Sequence, residues 1–306
     1  MEIANDKNGQ ASGFVNRNPA ENVKVWQARE ADFNVAETLL KTAPWRHKHV
    51  DWFETKSWLG SPGFVMSHSQ DGSKGCLAIV ADPGPGAWVR VAALERQSFN
   101  RKQSFLQMSA MVDQVCEYLI QNGVKIIGWM APIAWPDGWP EKLGFTESER
   151  VITYQKPTFK IPPLNTIDGL HIRAATSEDM PHLAEIESRA FPPIWRHSAT
   201  GLNRAMDQAF SFDVALINNK LVGFQHSATG RGAAAHLARI TVDPAVQGRG
   251  VGGHLLAHAI KGYQRRGAIE MTLNTESANV NAQRLYKRFG YRPSGHQFPL
   301  YTMALA

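Results

Sequence analysis

Residues 139–145, WPEKLGF, and residues 285–291, LYKRFGY, carry one pattern 146 positions apart, each after one strand-like run and before another. A 306-residue chain that repeats itself at about half its length is constrained to build one plan twice. The correspondence extends to the start of each half. VKVWQA followed by a helix from Asp32 to Lys41 opens the first, and LHIRAA followed by a helix around Ser177 to Arg189 opens the second. Both helices place acidic residues in the first turn, where the helix dipole favours them. In between, GFVMSHS, CLAIVAD and AWVRVAAL answer to FDVALIN, LVGFQHSAT and AAAHLARITV, all with strand-like alternation. The NNK at 218–220 reads as a hairpin turn, since asparagine tolerates the left-handed conformation. Each half is therefore expected to be a strand, one or two helices, an antiparallel meander, a helix, a strand, a helix and a final strand pair. The proline-bearing KPTFKIPPLNTIDG, 156–169, reads as the connection. The expected organisation is a disordered leader at 1–20, a domain at 21–158, a linker at 159–168 and a domain at 169–306. The fold class is α/β (α+β), each domain a mixed, mainly antiparallel sheet flanked by helices.

Composition excludes several classes. No apolar run approaches the roughly 18 to 20 residues of a membrane helix, and the polar amino terminus has neither the basic cluster nor the apolar core of a signal peptide. A cytosolic protein with no membrane partner is expected. Cys76 and Cys116, the only cysteines, are too few for a disulfide framework and read as buried thiols. The positive charge is concentrated in residues 161–306, with 15 Lys and Arg against 10 Asp and Glu, but in no run of five like charges. That distribution suits a compact anionic ligand better than nucleic acid.

The glycines sit in that basic half. HLARITV, 236–242, alternates His236, Ala238, Ile240 and Val242 on one face with Leu237, Arg239 and Thr241 on the other. Asp243 and Pro244 end the strand, because proline has no N–H to give a ladder. Gly248, Gly250, Gly252 and Gly253 then open a helix whose apolar side is Val251, Leu255, Leu256, Ala259 and Ile260. First-turn N–H groups have no acceptor within a helix, and the dipole adds about half a positive charge there. Such a start seats phosphate oxygens, and side chains larger than hydrogen would hold a pyrophosphate away from it. Arg249 can add a charge. Gly248, Gly250 and Gly253 also match the dinucleotide fingerprint, which leaves a dinucleotide-dependent oxidoreductase as a remote alternative. The spacer 243–247 and the preceding meander fit it poorly.

VDPAVQGRGVG resembles the acyl-CoA loop of the GCN5-related N-acetyltransferase (GNAT) family, Gln/Arg-x-x-Gly-x-Gly/Ala, at Gln247, Gly250 and Gly252. NVNAQRLYKRFGY resembles the family's Asn-x-x-Ala-x-x-Leu-Tyr helix at Asn279, Ala282, Leu285 and Tyr286. The tandem arrangement is similar to that of the mycothiol synthases within the family, and the second half's motifs also resemble the ribosomal-protein N-terminal acetyltransferases. The resemblance implies acetyl-CoA as cosubstrate, no metal, and direct attack by an amine, either a small molecule or a protein N-terminus. It implies that the main chain of Ile240, Thr241 and Val242 pairs with the pantetheine arm. Gln247 and the N–H groups of Gly248, Arg249, Gly250, Val251, Gly252 and Gly253 would hold the pyrophosphate, and Asn279 the pantetheine. Tyr286 would lie near the sulfur, where a phenol of pKa about 10 is suited to protonate the departing thiolate. Some relatives carry a glutamate five residues ahead of the asparagine. Here that position is Asn274, and Glu276, His236, His226 or a water remain candidate bases.

Only the second half is expected to work. Pro140 stands where the repeat places Tyr286, and ALERQSFNRKQSFLQMSAMV, opposite the glycine loop, contains no glycine. Isolated residues 161–306 are expected to hold the acetyl-CoA site. A non-catalytic acyl-CoA sensor is the alternative from another class. His254 and His258 read as a solvated face rather than metal ligands, and RHKH at 46–49 as an exposed basic turn. Phe191 and Trp195, like His296, Phe298 and Tyr301, are either acceptor-pocket walls or core.

Overall fold

Both runs of alternating sequence become strands of a single sheet. The structure is a computed structural model that describes residues 23–95, 101–130, 135–229 and 233–306, so the leader expected at 1–20 lies outside the described residues. The first half comprises β1 (Val23–Gln27), α1 (Phe33–Thr42), β2 (Trp45–Lys48), β3 (Phe64–Ser69), β4 (Lys74–Ala81), β5 (Gly86–Leu94), α2 (Arg101–Gln121), β6 (Ile126–Trp129), α3 (Trp139–Lys142) and β7 (Thr146–Lys156). The second comprises β8 (Leu170–Ala174), α4 (Met180–Ala190), α5 (Ala199–Asp207), β9 (Ser211–Ile217), β10 (Lys220–Thr229), β11 (Ala234–Val242), α6 (Val251–Arg265), β12 (Glu270–Glu276), α7 (Val280–Arg288) and β13 (Arg292–Ala304).

Among the described residues the strands run β1-β3-β4-β5-β6-β13-β7-β12-β11-β10-β9-β8, with β2 attached to β5 off this path. The order in the middle corrects one expectation. Neither half ends in a strand pair of its own: β7 and β13 are each one long strand, and they pair with each other. β7 pairs with β12 of the second half, from Lys156 opposite Met271 to Val151 opposite Glu276. β13 pairs with β6 of the first half, from Tyr301 opposite Trp129 to Ala304 opposite Ile126. Each half is thus closed by the other's last strand. Alternation specifies which face of a strand is buried but not which strand lies beside it.

Local signals fared better. Asn218 and Asn219 take φ of +49° and +64°, the left-handed pair that a tight hairpin needs between β9 and β10. The α6 stripe of Val251, Leu255, Leu256, Ala259 and Ile260 is buried as its spacing requires. That helix ends at Gly267, φ +75°, where the Ala268 N–H returns to the Tyr263 carbonyl. Under α6 and α7, Leu256, Tyr263, Phe289 and Tyr291 pack with Tyr154 of β7. Each such buried side chain contributes on the order of 1.5–3 kcal/mol. On the opposite face, α4 and α5 bury Leu183, Ile186, Leu202, Phe212 and Phe224.

Candidate active site

β11 and β12 run parallel, but their register covers only Ala234–Leu237 against Glu270–Leu273. Beyond Leu237, β11 keeps its partner β10 on one side, from Arg239 opposite His226 to Val242 opposite Gly223, while β12 continues along β7. The two strands splay, and among the described residues no strand pairs with the edge from Ala238 to Val242, which is open. A bulge marks the start of the splay: His226 faces Arg239, Ser227 faces Leu237, and Ala238 is the extra residue. The bulge also corrects the expected alternation. Leu237, Ile240 and Val242 turn toward α6, whereas Arg239 and Thr241 turn toward α4, so His236 shares the face of Arg239 rather than that of Ile240.

The open edge leads into the glycine loop. The Gln247 Nε2 donates to the Val242 carbonyl at 3.0 Å, which ties the loop back to its strand. Gly248 and Gly250 have φ of +80° and +94°, a region closed to most side chains, and Gly250 caps α6. The first helical N–H to find its acceptor is that of His254, on the Gly250 carbonyl at 3.2 Å. The N–H groups of Val251, Gly252 and Gly253 therefore point out of the helix start. Arg249 is exposed at the tip. Gly252 and Gly253 lie inside the first turn of α6, where an added Cβ would meet Leu285 and Val242 at the first and Leu164 and Phe289 at the second, all at 3.4–3.9 Å. β11, the loop, α6 and β12 form one parallel βαβ unit, but the spacer 243–247 separates strand from first glycine and β8 to β11 form an antiparallel meander, where a dinucleotide fold repeats parallel βαβ units.

Across the splay stands α7. Asn279 caps it, its Oδ1 accepting from the Ala282 N–H at 3.2 Å while its Nδ2 lies 3.4 Å from Glu276 Oε2. Tyr286 is 5% exposed. Burial raises its pKa well above the usual 10, and the Glu276 carboxylate adds to the rise while Arg239 opposes it. Of the candidate bases, His236 Nδ1 is paired with Thr272 Oγ1 at 2.8 Å. Glu276 receives Thr275 and Asn279. His226 is buried, and its Nε2 has no partner among the described residues. Asn274 is exposed.

Glu187 was not singled out by sequence, although a carboxylate beside Ile186 and one turn after Leu183 stands on the buried stripe of α4. It accepts Arg239 Nη2 at 2.5 Å and Nε at 3.1 Å, Thr241 Oγ1 at 2.6 Å and His197 Nδ1 at 3.1 Å. Burial pushes its pKa up, but Arg239 and His197 outweigh that and hold it near 2. His197 is itself held low by burial and by Arg239, so it meets Glu187 as a neutral ring. Arg239 also donates to the Trp195 carbonyl and stacks 3.6 Å over the Phe191 ring centre. Phe191 and Trp195 therefore both hold Arg239 beside the open edge. Tyr301 packs against the first-half core instead, while Phe298 and His296 are exposed.

The first half repeats the splay and the bulge. β5 and β6 pair only at Gly86–Trp88 with Ile126–Gly128, and Arg90 is the extra residue between Val89 and Val91. Aligned on the bulge, Val91–Leu94 corresponds to Arg239–Val242. That edge is not open: β2 lies along it, Lys48 opposite Val91 and Trp45 opposite Leu94. RHKH is therefore not an exposed turn. Arg46 and Lys48 alternate outward with buried His47, whose pKa burial lowers to about 4.

Remaining features are structural. Cys76 and Cys116 are buried free thiols with pKa values pushed by burial to about 12. Among the described residues no cluster of three His, Cys, Asp or Glu could hold a metal, and no helix is long and apolar enough to cross a membrane. His254 and His258 are half-buried and line a cavity of about 370 Å³ against Ile161, Leu164 and Ile172; none of the loop glycines lines it.

A splayed parallel pair that runs into a glycine-rich helix start, in a plan built twice within one sheet, defines the fold class. Residues 180–291 match the acetyltransferase (GNAT) family and form a GNAT domain, and the fold of the whole chain is that of tandem GNAT proteins. Whole-chain likeness of fold is to a GCN5-related N-acetyltransferase from Sphaerobacter thermophilus, with TM-score 0.56, 16% identity and coverage of 94% of this chain and 97% of that one. A tandem GNAT protein from the clavulanic acid biosynthesis pathway gives 0.57 at 12% identity over 93% and 99%. By sequence the chain is 31% identical over 177 residues to a mycothiol acetyltransferase of Brachybacterium faecium, covering 51% of this chain and 53% of that one. It is 29% identical over 128 residues to the ribosomal protein bS18 alanine N-acetyltransferase of Escherichia coli K12, covering 42% and 81%. The chain thus spans about half the length of the first of these relatives.

Proposed function

We propose that the protein moves an acetyl group from acetyl-CoA to an amine by direct attack, at one site in the second half. The observation that carries this reading is the open edge Ala238–Val242 running into a loop whose helix-start N–H groups have no acceptor. Those N–H groups, with Arg249, hold the pyrophosphate, and Gln247 keeps the loop on its strand. The main chain of Ile240, Thr241 and Val242 takes the pantetheine arm as an added strand. The Asn279 Nδ2 is the group left to donate to that arm, because its Oδ1 caps α7. Acetyl-CoA supplies an activated thioester. Tyr286 donates its proton toward the sulfur: burial keeps the phenol protonated, and the same burial raises the demand of a thiolate for a proton. The first half takes no carrier, since β2 fills the equivalent edge. The acceptor is a small amine or a protein N-terminal amine, a reading supported by relatives named for mycothiol and for an alanine of ribosomal protein bS18.

Calorimetry with acetyl-CoA, followed by thiol release against an amine panel, tests this. One binding event per chain and amine-dependent release are expected. Two equal events or none would refute the single site, and binding without release to any amine would favour a sensor.

A further inference from the structure

The strand that fills the first half's slot does not stop there. From Lys48 the chain emerges at His49 and reaches the second half at Trp52, whose carbonyl accepts Gln208 Nε2 at 3.0 Å. The Trp52 ring lies edge-on to His197 at 5.2 Å and to His226 at 4.7 Å. His49 stacks on Trp88 at 4.6 Å, and Trp88 meets Trp195 at 5.2 Å. Trp195 in turn accepts Arg239, the partner of Glu187, and Glu187 holds His197. The chain of contacts runs from the first half to the Arg239–Val242 edge on the side away from α6.

Two imidazole nitrogens in this cluster have no partner among the described residues, His49 Nδ1 and His226 Nε2, and the Arg90 Nε beside His49 is likewise unpaired. A buried polar atom left unpaired costs about 1–3 kcal/mol, and two in one cluster mark a place built for something else to bond. The local charges restrict what that is. Both acids are already consumed, Glu187 by Arg239 and Asp51 by Arg90 at 2.6 Å. His49 faces Arg90, His47 and His197; His226 faces His197, Arg239, Glu187 and His236. Burial lowers the pKa of both rings, and Arg90 beside His49 and Arg239 beside His226 lower them further, while Glu187 opposes the fall at His226. A neutral imidazole can accept or donate one hydrogen bond, but among the described residues of this cluster none offers a free negative charge to a polycation.

Resting on the transferase reading above, we propose that the acceptor site spans both halves, with His49 and Trp52 of the first and His226 of the second holding an amine whose other groups are neutral or anionic hydrogen-bonding groups. Polyamines are excluded by the same charges. His49 and His226 bond the hydroxyl, amide or carboxylate of the acceptor, and Trp52 covers it.

The test uses the full chain saturated with CoA, with thermal unfolding read after addition of L-serinamide, an alanyl tetrapeptide or spermidine. A rise in midpoint of a few degrees is expected with serinamide or the tetrapeptide, and which of them acts separates a small-molecule from a protein N-terminal acceptor. His49→Ala and His226→Ala should abolish the rise while CoA affinity stays within about twofold, and His49→Asn, which keeps a hydrogen-bonding group, should retain part of it. An equal or larger rise with spermidine overturns the proposal, as does no rise with either neutral amine or a rise that survives His49→Ala. Failure of the wild-type chain to bind CoA at all would instead strike the transferase reading, and this inference with it.

Discussion

Tyr154, on β7 of the first half, lies 6.3 Å ring to ring from Tyr286, on α7 of the second. Its hydroxyl donates to Gln283 Oε1 at 3.3 Å, and Gln283 Nε2 reaches the carbonyls of Glu276 at 3.2 Å and Ser277 at 2.8 Å. The strand exchange therefore puts a first-half residue behind the proposed acid, bracing α7 against the end of β12.

The exchange changes what dissection of the chain should yield. Residues 161–306 alone would leave the Met271–Glu276 edge of β12 without the Val151–Lys156 strand, and an unpaired edge is a template for pairing with another chain. The isolated half is expected to be insoluble or to lack CoA binding. A chain cleaved between Lys156 and Leu170 should keep both pieces together through size-exclusion chromatography, because no regular element spans that stretch.

Tyr286→Phe removes the proton donor without changing the ring that packs against Tyr154 and Tyr291. Turnover is expected to fall about 100-fold or more, as for loss of a positioned acid. Acetyl-CoA affinity by calorimetry should change by less than about threefold.

Two glycines of one helix should respond in opposite directions. Gly250→Val forces a β-branched residue to φ +94°, with an expected loss of about 1–3 kcal/mol in urea unfolding and of CoA binding. Gly262→Ala places its methyl in open space within α6, and should stabilise by about 0.4–1 kcal/mol with binding unchanged.

Glu187→Ala leaves Arg239 buried without its carboxylate and frees Thr241 and His197. A loss on the order of 3–5 kcal/mol is expected in denaturant unfolding. A Glu187→Gln chain should lose less, since the amide oxygen still accepts.

Stability should fall on the acid side in two stages. A buried histidine whose folded pKa lies below its unfolded value leaves the unfolded chain holding more protons, so stability rises with pH across that interval. For His47, moving from 6.5 to about 4, this amounts to about 3 kcal/mol lost as pH drops through that range, and His49, His197 and His226 shift the same way. Glu187 is depressed to about 2, so its contribution is complete above the ordinary carboxylate range and is lost as pH falls toward 2. Urea midpoints at pH 7, 5.5, 4 and 3 check the order.

The chain alone specified what is decided within a few residues of itself: the Asn218–Asn219 turn, the glycine start and apolar stripe of α6, the capped helix from Asn279 to Tyr286, and the repeat of the plan. Each follows from a local conformational preference or a helical period. Tertiary structure decided which strands become neighbours, because a pleated strand offers the same hydrogen-bonding groups to any partner. Only folding could lay β2 over Val91–Leu94, close each half with the other's last strand, shift the faces of β11 at Ala238, and gather His49, Trp52 and His226 from distant parts of the chain.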